Sequence, residues 1–177
     1  MDHKLMPTLK YENISLMPWT VEYAADMLLF AANEKVMKPA DVKVIPDMKA
    51  AKTKIRGLDK KNSTEWALAI EENGEDHIIG NIGITPVISI KEYEKVVEIG
   101  YLLAEEYWGR GIMSKAVSIL LRHCFQDLAC DAVTIRMNPE NAGSVRIAEK
   151  NGMKFYRKRT TNGRLHHTYL VSKDDYC

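Results

Sequence analysis

The fold of this chain is decided by residues 96–116, which read VVEIGYLLAEEYWGRGIMSKA. Residues 96–103 form a run rich in β-branched and other apolar residues, which is typical of a strand whose side chains alternate between two faces. From Ile112 to about Leu128, apolar residues recur at the spacing of one helix face. Gly109 and Gly111 stand between the two segments and allow a tight turn. The pattern therefore predicts a strand, a glycine-bearing turn and a long amphipathic helix.

Shorter runs on both sides of this stretch predict further strands and helices. In the first half we expect a strand at 14–17 and two helices, at 21–33 and 48–59, with an irregular stretch at 34–46 between them. A hairpin of 66–70 with 77–85 is expected to follow. In the second half we expect a strand at 133–137, a short helix opened by Asn141 and closed by Gly152, and a hairpin of 155–159 with 165–171 around Asn162-Gly163. This mixture predicts an α/β (mixed α+β) fold.

Length and composition predict one globular domain over residues 1–177. Hydrophobic residues make up 46% and the net charge is +1, which argues against a chain whose main role is to coat nucleic acid or an anionic membrane. The sequence has no apolar run of the roughly 18 residues that span a bilayer, and we expect no secretory signal at the N-terminus. Cys124, Cys130 and Cys177 form no CxxC pair and show no metal-ligand spacing with the histidines, so we expect reduced thiols, no metal and a cytoplasmic location.

The glycine-bearing turn has the chemistry of an anion site. Backbone amides near Gly109 and Gly111 coincide with the unpaired N–H groups of a helix N-terminus, where the dipole favours negative charge. A turn that only joins strand to helix is an equally good interpretation of the two glycines alone. A Walker loop is absent, and a dinucleotide fingerprint would need a glycine where Ser114 stands.

Four segments in a consistent order resemble the GNAT acetyltransferases. They are 98–102 (EIGYL), 107–113 (YWGRGIM), 138–144 (NPENAGS) and 149–155 (EKNGMKF). Within that superfamily their order and spacing are similar to the RimJ/RimL-like branch, which acetylates protein N-termini. The resemblance covers about residues 96–156.

The resemblance implies a GNAT-like fold, with a mostly antiparallel twisted sheet that is splayed at the acetyl-CoA site and flanked by helices. It implies acetyl-CoA as co-substrate, with the pyrophosphate on the glycine-bearing turn and the pantetheine arm beside the end of the preceding strand. The implied binding residues are Tyr101, Leu102, Leu103, Gly109, Arg110, Gly111, Ile112, Met113, Ser114, Asn138, Asn141 and Ser144. Homodimers are common in this branch.

Glu98 is the leading candidate for the general base, acting directly or through water. Its carboxylate lies in a largely apolar strand, where burial would raise its pKa. An α-amine has an ordinary pKa of about 7.7–8.0 and a lysine about 10.4, so an N-terminal acceptor needs only modest help from a base. A purely structural carboxylate is the competing interpretation. Glu105 and Glu106 are interpreted as solvated turn residues.

Ser144 is the leading candidate for the proton donor to the departing thiolate, because the first turn of a helix favours developing negative charge. Asn141 is also a good N-cap whatever the protein does. Many GNAT members use a tyrosine at the position that Ala148 occupies here, which excludes that route in this chain. Trp108 is expected to pack rather than to contact phosphate.

Three functions remain open on the sequence alone. The first is acetylation of a protein or peptide N-terminal amine; the second is acetylation of a small amine such as a polyamine, amino acid or antibiotic. The third is a non-catalytic acyl-CoA-binding module. A basic stretch at 157–159, which would face Arg164, His166 and His167 across the last hairpin, would suit an acidic substrate or the cofactor's phosphates, although a solvated edge is the simpler interpretation.

Overall fold

The computed structural model describes residues 6–60 and 64–176. Residues 1–5 and Cys177, on which the predictions of an absent secretory signal and of a third reduced thiol depend, lie outside the described residues. The chain divides into two compact units. The first contains the described residues up to Gly83 together with Tyr101–Ile112, and the second contains Ile84–Gly100 with the described residues from Met113 onward.

The protein is a mixed α/β fold with a mostly antiparallel sheet flanked by helices, which confirms the predicted fold class. In chain order its elements are β1 (Leu9–Tyr11), β2 (Ile14–Pro18), α1 (Ala24–Ala31), α2 (Glu34–Met37), α3 (Met48–Lys60), β3 (Glu65–Glu72), β4 (Glu75–Val87), β5 (Val96–Leu103), α4 (Ile112–Gln126), β6 (Ala132–Met137), α5 (Ala142–Lys150), β7 (Lys154–Thr161) and β8 (Arg164–Ser172).

In the first unit the strands follow the order β1-β2-β3-β4, with antiparallel pairing throughout this order. The residues from Trp66 to Ile70 in β3 are all buried, as expected for a strand covered on both faces. In α3, Ala51, Ile55 and Leu58 are buried at helical spacing, and the Asp47 side chain accepts a hydrogen bond from the Ala50 amide at 2.8 Å near its start. These helical residues belong to one apolar core cluster, which also contains Met27, Phe30, Val36 and Met37.

Residues 34–46 were expected to be irregular, and this prediction is wrong for their first part. The Asn33 side chain accepts a hydrogen bond from the Lys35 amide at 3.0 Å and caps α2, whose Val36 and Met37 are buried. The predicted helix at 21–33 is shorter in the structure, because 21–23 form a 3₁₀ turn before α1. A single capping side chain and two buried residues were too short a signal for a helix prediction.

In the second unit the strands follow the order β5-β6-β8-β7. β5 and β6 run parallel, while β6 with β8 and β8 with β7 run antiparallel. α4 connects the parallel pair, and its predicted apolar face is buried from Met113 to Cys124. Cys124 and Cys130 are both buried and unbridged. Burial raises the pKa of the Cys124 thiol, which keeps it protonated.

Candidate active site

The turn between β5 and α4 ends in two glycines with a left-handed backbone. Gly109 and Gly111 both have a φ of +76°, and α4 begins at Ile112. A β-carbon built on either glycine would have no heavy atom of the described residues within 4 Å, its chain neighbours apart. The first amides of α4 lack intrahelical acceptors, and no acidic residue stands in its first turn to oppose an anion. The turn therefore fits a phosphate group.

Side chains of the turn itself hold its backbone in place. The Trp108 indole N–H donates to the Leu103 carbonyl oxygen at 2.8 Å. Arg110 is exposed, and its guanidinium lies 5.0 Å from the centre of the Tyr107 ring. Trp108 was expected to pack; its side chain is 47% exposed, and the hydrogen bond to Leu103 anchors its indole ring.

Asn151 supports the start of α4 from the end of α5. Its side-chain amide donates to the Ser114 carbonyl oxygen at 3.1 Å, to the Ser114 hydroxyl at 3.2 Å and to the Ile147 carbonyl oxygen at 2.8 Å. Sequence reasoning placed Asn151 in a motif without assigning it a role. Because its partner Ser114 lies 37 residues away in the chain, no local pattern pointed to this contact.

The end of β5 carries the three residues expected beside the pantetheine arm. Tyr101 and Leu102 are half-buried and Leu103 is buried. The backbone of β4 approaches this segment so closely that a β-carbon on Gly80 would lie 2.3 Å from the Leu102 carbonyl oxygen. The parallel register of β5 with β6 runs from Val96 to Ile99, whereas β5 itself continues to Leu103.

Glu98 is a half-buried carboxylate on β5, opposite Thr134 of β6. Its Oε1 lies 3.4 Å from the Arg136 Nε, and its side chain is 27% exposed. Burial raises the pKa of Glu98, while Arg136, His166 and Arg157 act in the opposite direction. A carboxylate with a raised pKa is a better proton acceptor than a solvated one.

Glu98 lines a cleft of about 490 Å³ in the second unit. Arg136, Arg157 and Arg159 line the same cleft, together with hydroxyl side chains that include Thr134. The sequence left the basic stretch at 157–159 open between a solvated edge and attraction of an acidic substrate or the cofactor's phosphates, and it gave no signal for Arg136. The structure brings Arg136, Arg157 and Arg159 to the wall of the cleft that contains Glu98.

Ser144 and Asn141 lie at the start of α5. The Asn141 side chain accepts a hydrogen bond from the Ser144 amide at 3.1 Å, which makes Asn141 the N-cap of α5. Ser144 is 8% exposed. Within residues 6–60 and 64–176, no protein group forms a hydrogen bond with its hydroxyl. The hydroxyl is therefore available as a donor.

The remaining candidates around α5 are engaged locally. Asn138 is exposed, and its side-chain oxygen accepts a hydrogen bond from the Glu140 amide at 2.9 Å. Ala148 is fully buried, so a packed methyl group fills the position at which many GNAT acetyltransferases have a tyrosine. Tyr156, the other tyrosine nearby in sequence, donates its hydroxyl to Glu92. Burial and Glu92 raise the pKa of Tyr156.

Residues 6–60 and 64–176 contain no group of three or more histidine, cysteine, aspartate or glutamate side chains that could hold a metal ion. None of the helices in the described part of the chain combines the length and apolar character needed to span a bilayer.

A mixed α/β chain with a turn that fits a phosphate group and a half-buried glutamate on the preceding strand agrees with the resemblance to the acetyl-CoA-dependent transferases. The acetyltransferase (GNAT) domain family matches residues 13–154, which is most of the chain. The protein therefore belongs to the GNAT acetyltransferase family, whose members are acyltransferase enzymes that use acetyl-CoA as co-substrate.

Known relatives agree with this assignment. An uncharacterized N-acetyltransferase, p20 of Bacillus licheniformis, is 25% identical over 94% of this chain and 96% of its own length. The ribosomal-protein-serine acetyltransferase of Escherichia coli (strain K12) is 35% identical over 44% of this chain and 42% of its own. A solved GNAT-family acetyltransferase from Bacillus anthracis superposes with a TM-score of 0.80 at 16% identity, covering 95% of this chain and 99% of that one.

Proposed function

We propose that this protein transfers the acetyl group of acetyl-CoA to the α-amine at the N-terminus of a protein or peptide, by direct transfer in a ternary complex. The observation that carries the proposal is Glu98, a half-buried carboxylate with a raised pKa on the wall of a cleft. The family match spans both compact units, which supports a single N-acetyltransferase domain over residues 1–177.

Acetyl-CoA supplies the acetyl thioester in this reaction. In the proposal, the amides of Gly109 to Ser114 hold its pyrophosphate, with Arg110, Ile112 and Met113 in the same segment. The open space beside both glycines supports this assignment. Tyr101, Leu102 and Leu103 would pair with the pantetheine arm. Such pairing needs a free strand edge, and β5 continues beyond the last residue that is in register with β6. Asn138, Asn141 and Ser144 complete the proposed set.

The chemistry assigned to the chain is two proton transfers. The Glu98 carboxylate removes a proton from the amine as the nitrogen forms its bond to the acetyl carbonyl carbon. The carbon–sulfur bond breaks, and the Ser144 hydroxyl donates a proton to the departing sulfur. Glu98 then releases its proton to solvent and Ser144 regains one. No metal takes part in this scheme.

An α-amine is the acceptor that these groups suit. Its ordinary pKa of about 7.7–8.0 lies much closer to the raised pKa of Glu98 than that of a lysine side chain, about 10.4. The similarity to a ribosomal-protein-serine acetyltransferase adds support over the part of the chain that it covers. We also propose that the enzyme works in the cytoplasm and forms a homodimer.

The proposal is tested by incubating the protein with labelled acetyl-CoA and a lysate of the source cells. We expect label in protein, mapped by mass spectrometry to an α-amine. Label only in the small-molecule fraction would favour a small amine as acceptor. Cofactor binding without any transfer would contradict the proposal and favour a non-catalytic acyl-CoA-binding module.

Replacing Ser144 by alanine should lower kcat by about tenfold, because the departing thiol, with a pKa near that of cysteine at about 8.5, still leaves without full help from an acid. The dissociation constant of acetyl-CoA should change far less than kcat. Steady-state kinetics and calorimetry measure the two effects. Ser118→Ala on α4 is the matched control, and an unchanged kcat in Ser144→Ala would remove Ser144 from the mechanism.

A further inference from the structure

The cleft beside Glu98 is formed by side chains on one face of β5, β6, β8 and β7. Glu98 lies opposite Thr134, and Arg136, two residues further along β6, lies opposite Thr168. Thr168 in turn lies opposite Arg157 of β7. Because side chains alternate along a strand and paired residues share a face, all five point to the same side of the sheet. Each of them lines the cleft.

The charge of this cleft is predominantly positive. Its charged lining residues are Glu98, Arg136, Arg157 and Arg159, so three cations stand against one carboxylate. Arg136 is paired with Glu98 at 3.4 Å. Arg157 acts on the same carboxylate from further away, so one negative charge faces three positive ones and the cleft keeps an excess of positive charge.

Neither of these two arginines has a carboxylate partner in the described chain. Arg157 donates to the Ser89 carbonyl oxygen at 3.3 Å and to the Ser89 hydroxyl at 2.8 Å, which are neutral acceptors. Its Nε is buried and has no hydrogen-bond partner among the described residues. Arg159 is exposed and lies opposite His166, whose buried Nδ1 also lacks a partner there. The Arg157 Nε is therefore a buried donor with unused hydrogen-bonding capacity beside this cleft.

Resting on the proposed function, we propose that the acceptor is an amine with a carboxylate close by, held by Arg157 and Arg159 while the amine lies at Glu98. A guanidinium binds a carboxylate through charge-assisted and often bidentate hydrogen bonds. A positive cleft also repels an ammonium ion and so favours the neutral, reactive amine. A peptide with acidic residues next to its N-terminus meets these requirements, as does a free amino acid, whereas a polyamine does not.

The proposal is tested with two short peptides that share their first residue and differ only in having aspartate and glutamate, or asparagine and glutamine, at the next two positions. We expect kcat/KM for the acidic peptide to exceed that for the neutral one by about tenfold or more. Aspartate and its diamide, assayed in the same way, show whether the free amino acid is the better source of the carboxylate. Similar kcat/KM values for the acidic and neutral members of both pairs would overturn the proposal and leave the proposed function standing.

Arg159→Gln tests the assigned side chain. We expect the preference for the acidic peptide to shrink to about twofold or less, with the dissociation constant of acetyl-CoA unchanged. Lys158→Gln is the matched control, because it removes the same charge from the adjacent position of β7, which does not line the cleft. It should keep the full preference. Loss of preference in Lys158→Gln as strong as in Arg159→Gln would contradict the assignment.

A direct binding measurement distinguishes a failure of this proposal from a failure of the proposed function. The N-acetylated acidic and neutral peptides are titrated into the protein with CoA present, and heat is measured. Tighter binding of the acidic product, lost in Arg159→Gln, supports the anion site whether or not turnover is seen. Equal binding of the two products contradicts the anion site, while absence of acetylation of every amine contradicts the proposed function itself.

Discussion

Replacing Glu98 by glutamine should lower kcat by about 10²- to 10⁴-fold, the usual contribution of a general base. Glutamine keeps the size of the side chain but cannot accept the proton of the attacking amine. The dissociation constant of acetyl-CoA should stay within about twofold of the wild-type value, since Glu98 is not assigned to the cofactor. Steady-state kinetics at saturating acceptor and calorimetry measure the two quantities.

The pH dependence of kcat is a second readout of the same role. Burial raises the pKa of Glu98 above its ordinary 4.5, and only the ionised form is a base. Activity should therefore fall as the pH drops through this raised pKa. Glu98→Gln should lose this part of the acidic limb and keep only the part that comes from protonation of the acceptor amine. Arg136 lowers the pKa of Glu98, so Arg136→Gln should move the limb to higher pH.

Glu106→Gln is the matched control for Glu98→Gln. Glu106 is an exposed glutamate in the turn that follows β5, and its replacement makes the same chemical change without touching the cleft. We expect wild-type kcat and an unchanged pH profile. A Glu98→Gln variant that keeps its kcat would leave Glu98 with a structural role only.

Replacing Gly111 by tryptophan should abolish binding of acetyl-CoA. The space beside Gly111 is open in the structure, and an indole there would occupy the position assigned to the pyrophosphate. Loss of two or more amide-to-phosphate hydrogen bonds, each contributing about 1.5–3 kcal/mol, would weaken binding by about a hundredfold or more. Calorimetric titration with acetyl-CoA and with CoA measures the effect.

A tryptophan at position 111 also strains a backbone with positive φ, and this strain needs its own control. Gly74 has a φ of +83° and an equally open surrounding, but it lies in the hairpin turn between β3 and β4. Gly74→Trp therefore introduces the same residue and comparable strain away from the turn, and it should bind acetyl-CoA normally. Wild-type affinity in a folded Gly111→Trp protein would exclude the turn as the phosphate site.

The elements with strong local signals were predicted closely. The strand at 96–103 has the predicted bounds, and Asn162-Gly163 forms the turn of the last hairpin. Both signals are local, because strand alternation and turn chemistry act over a few neighbouring residues. The short helix α2 and the strand β1 were missed, since three or four residues carry too little pattern.

The residues of the candidate site also divide into those that the local sequence indicated and those that it did not. Gly109 and Gly111 were identified from their own chemistry, and Glu98 from a carboxylate in an apolar strand. Asn151 could not be linked to Ser114, because its contact joins two helix ends far apart in the chain. Arg136 carried no signal either, since a single arginine in a strand does not indicate a role until its neighbours in the folded structure are known.

The sequence by itself determined the family, the strand–turn–helix unit and the glutamate within it, because each depends on residues that are neighbours along the chain. Only the tertiary structure decided which charges meet Glu98. Arg136 and Arg157 belong to β6 and β7, and they reach one cleft because β8 pairs with both strands in a register that puts Thr168 between them. Strand order and register arise from packing between distant segments, so no local pattern contains them.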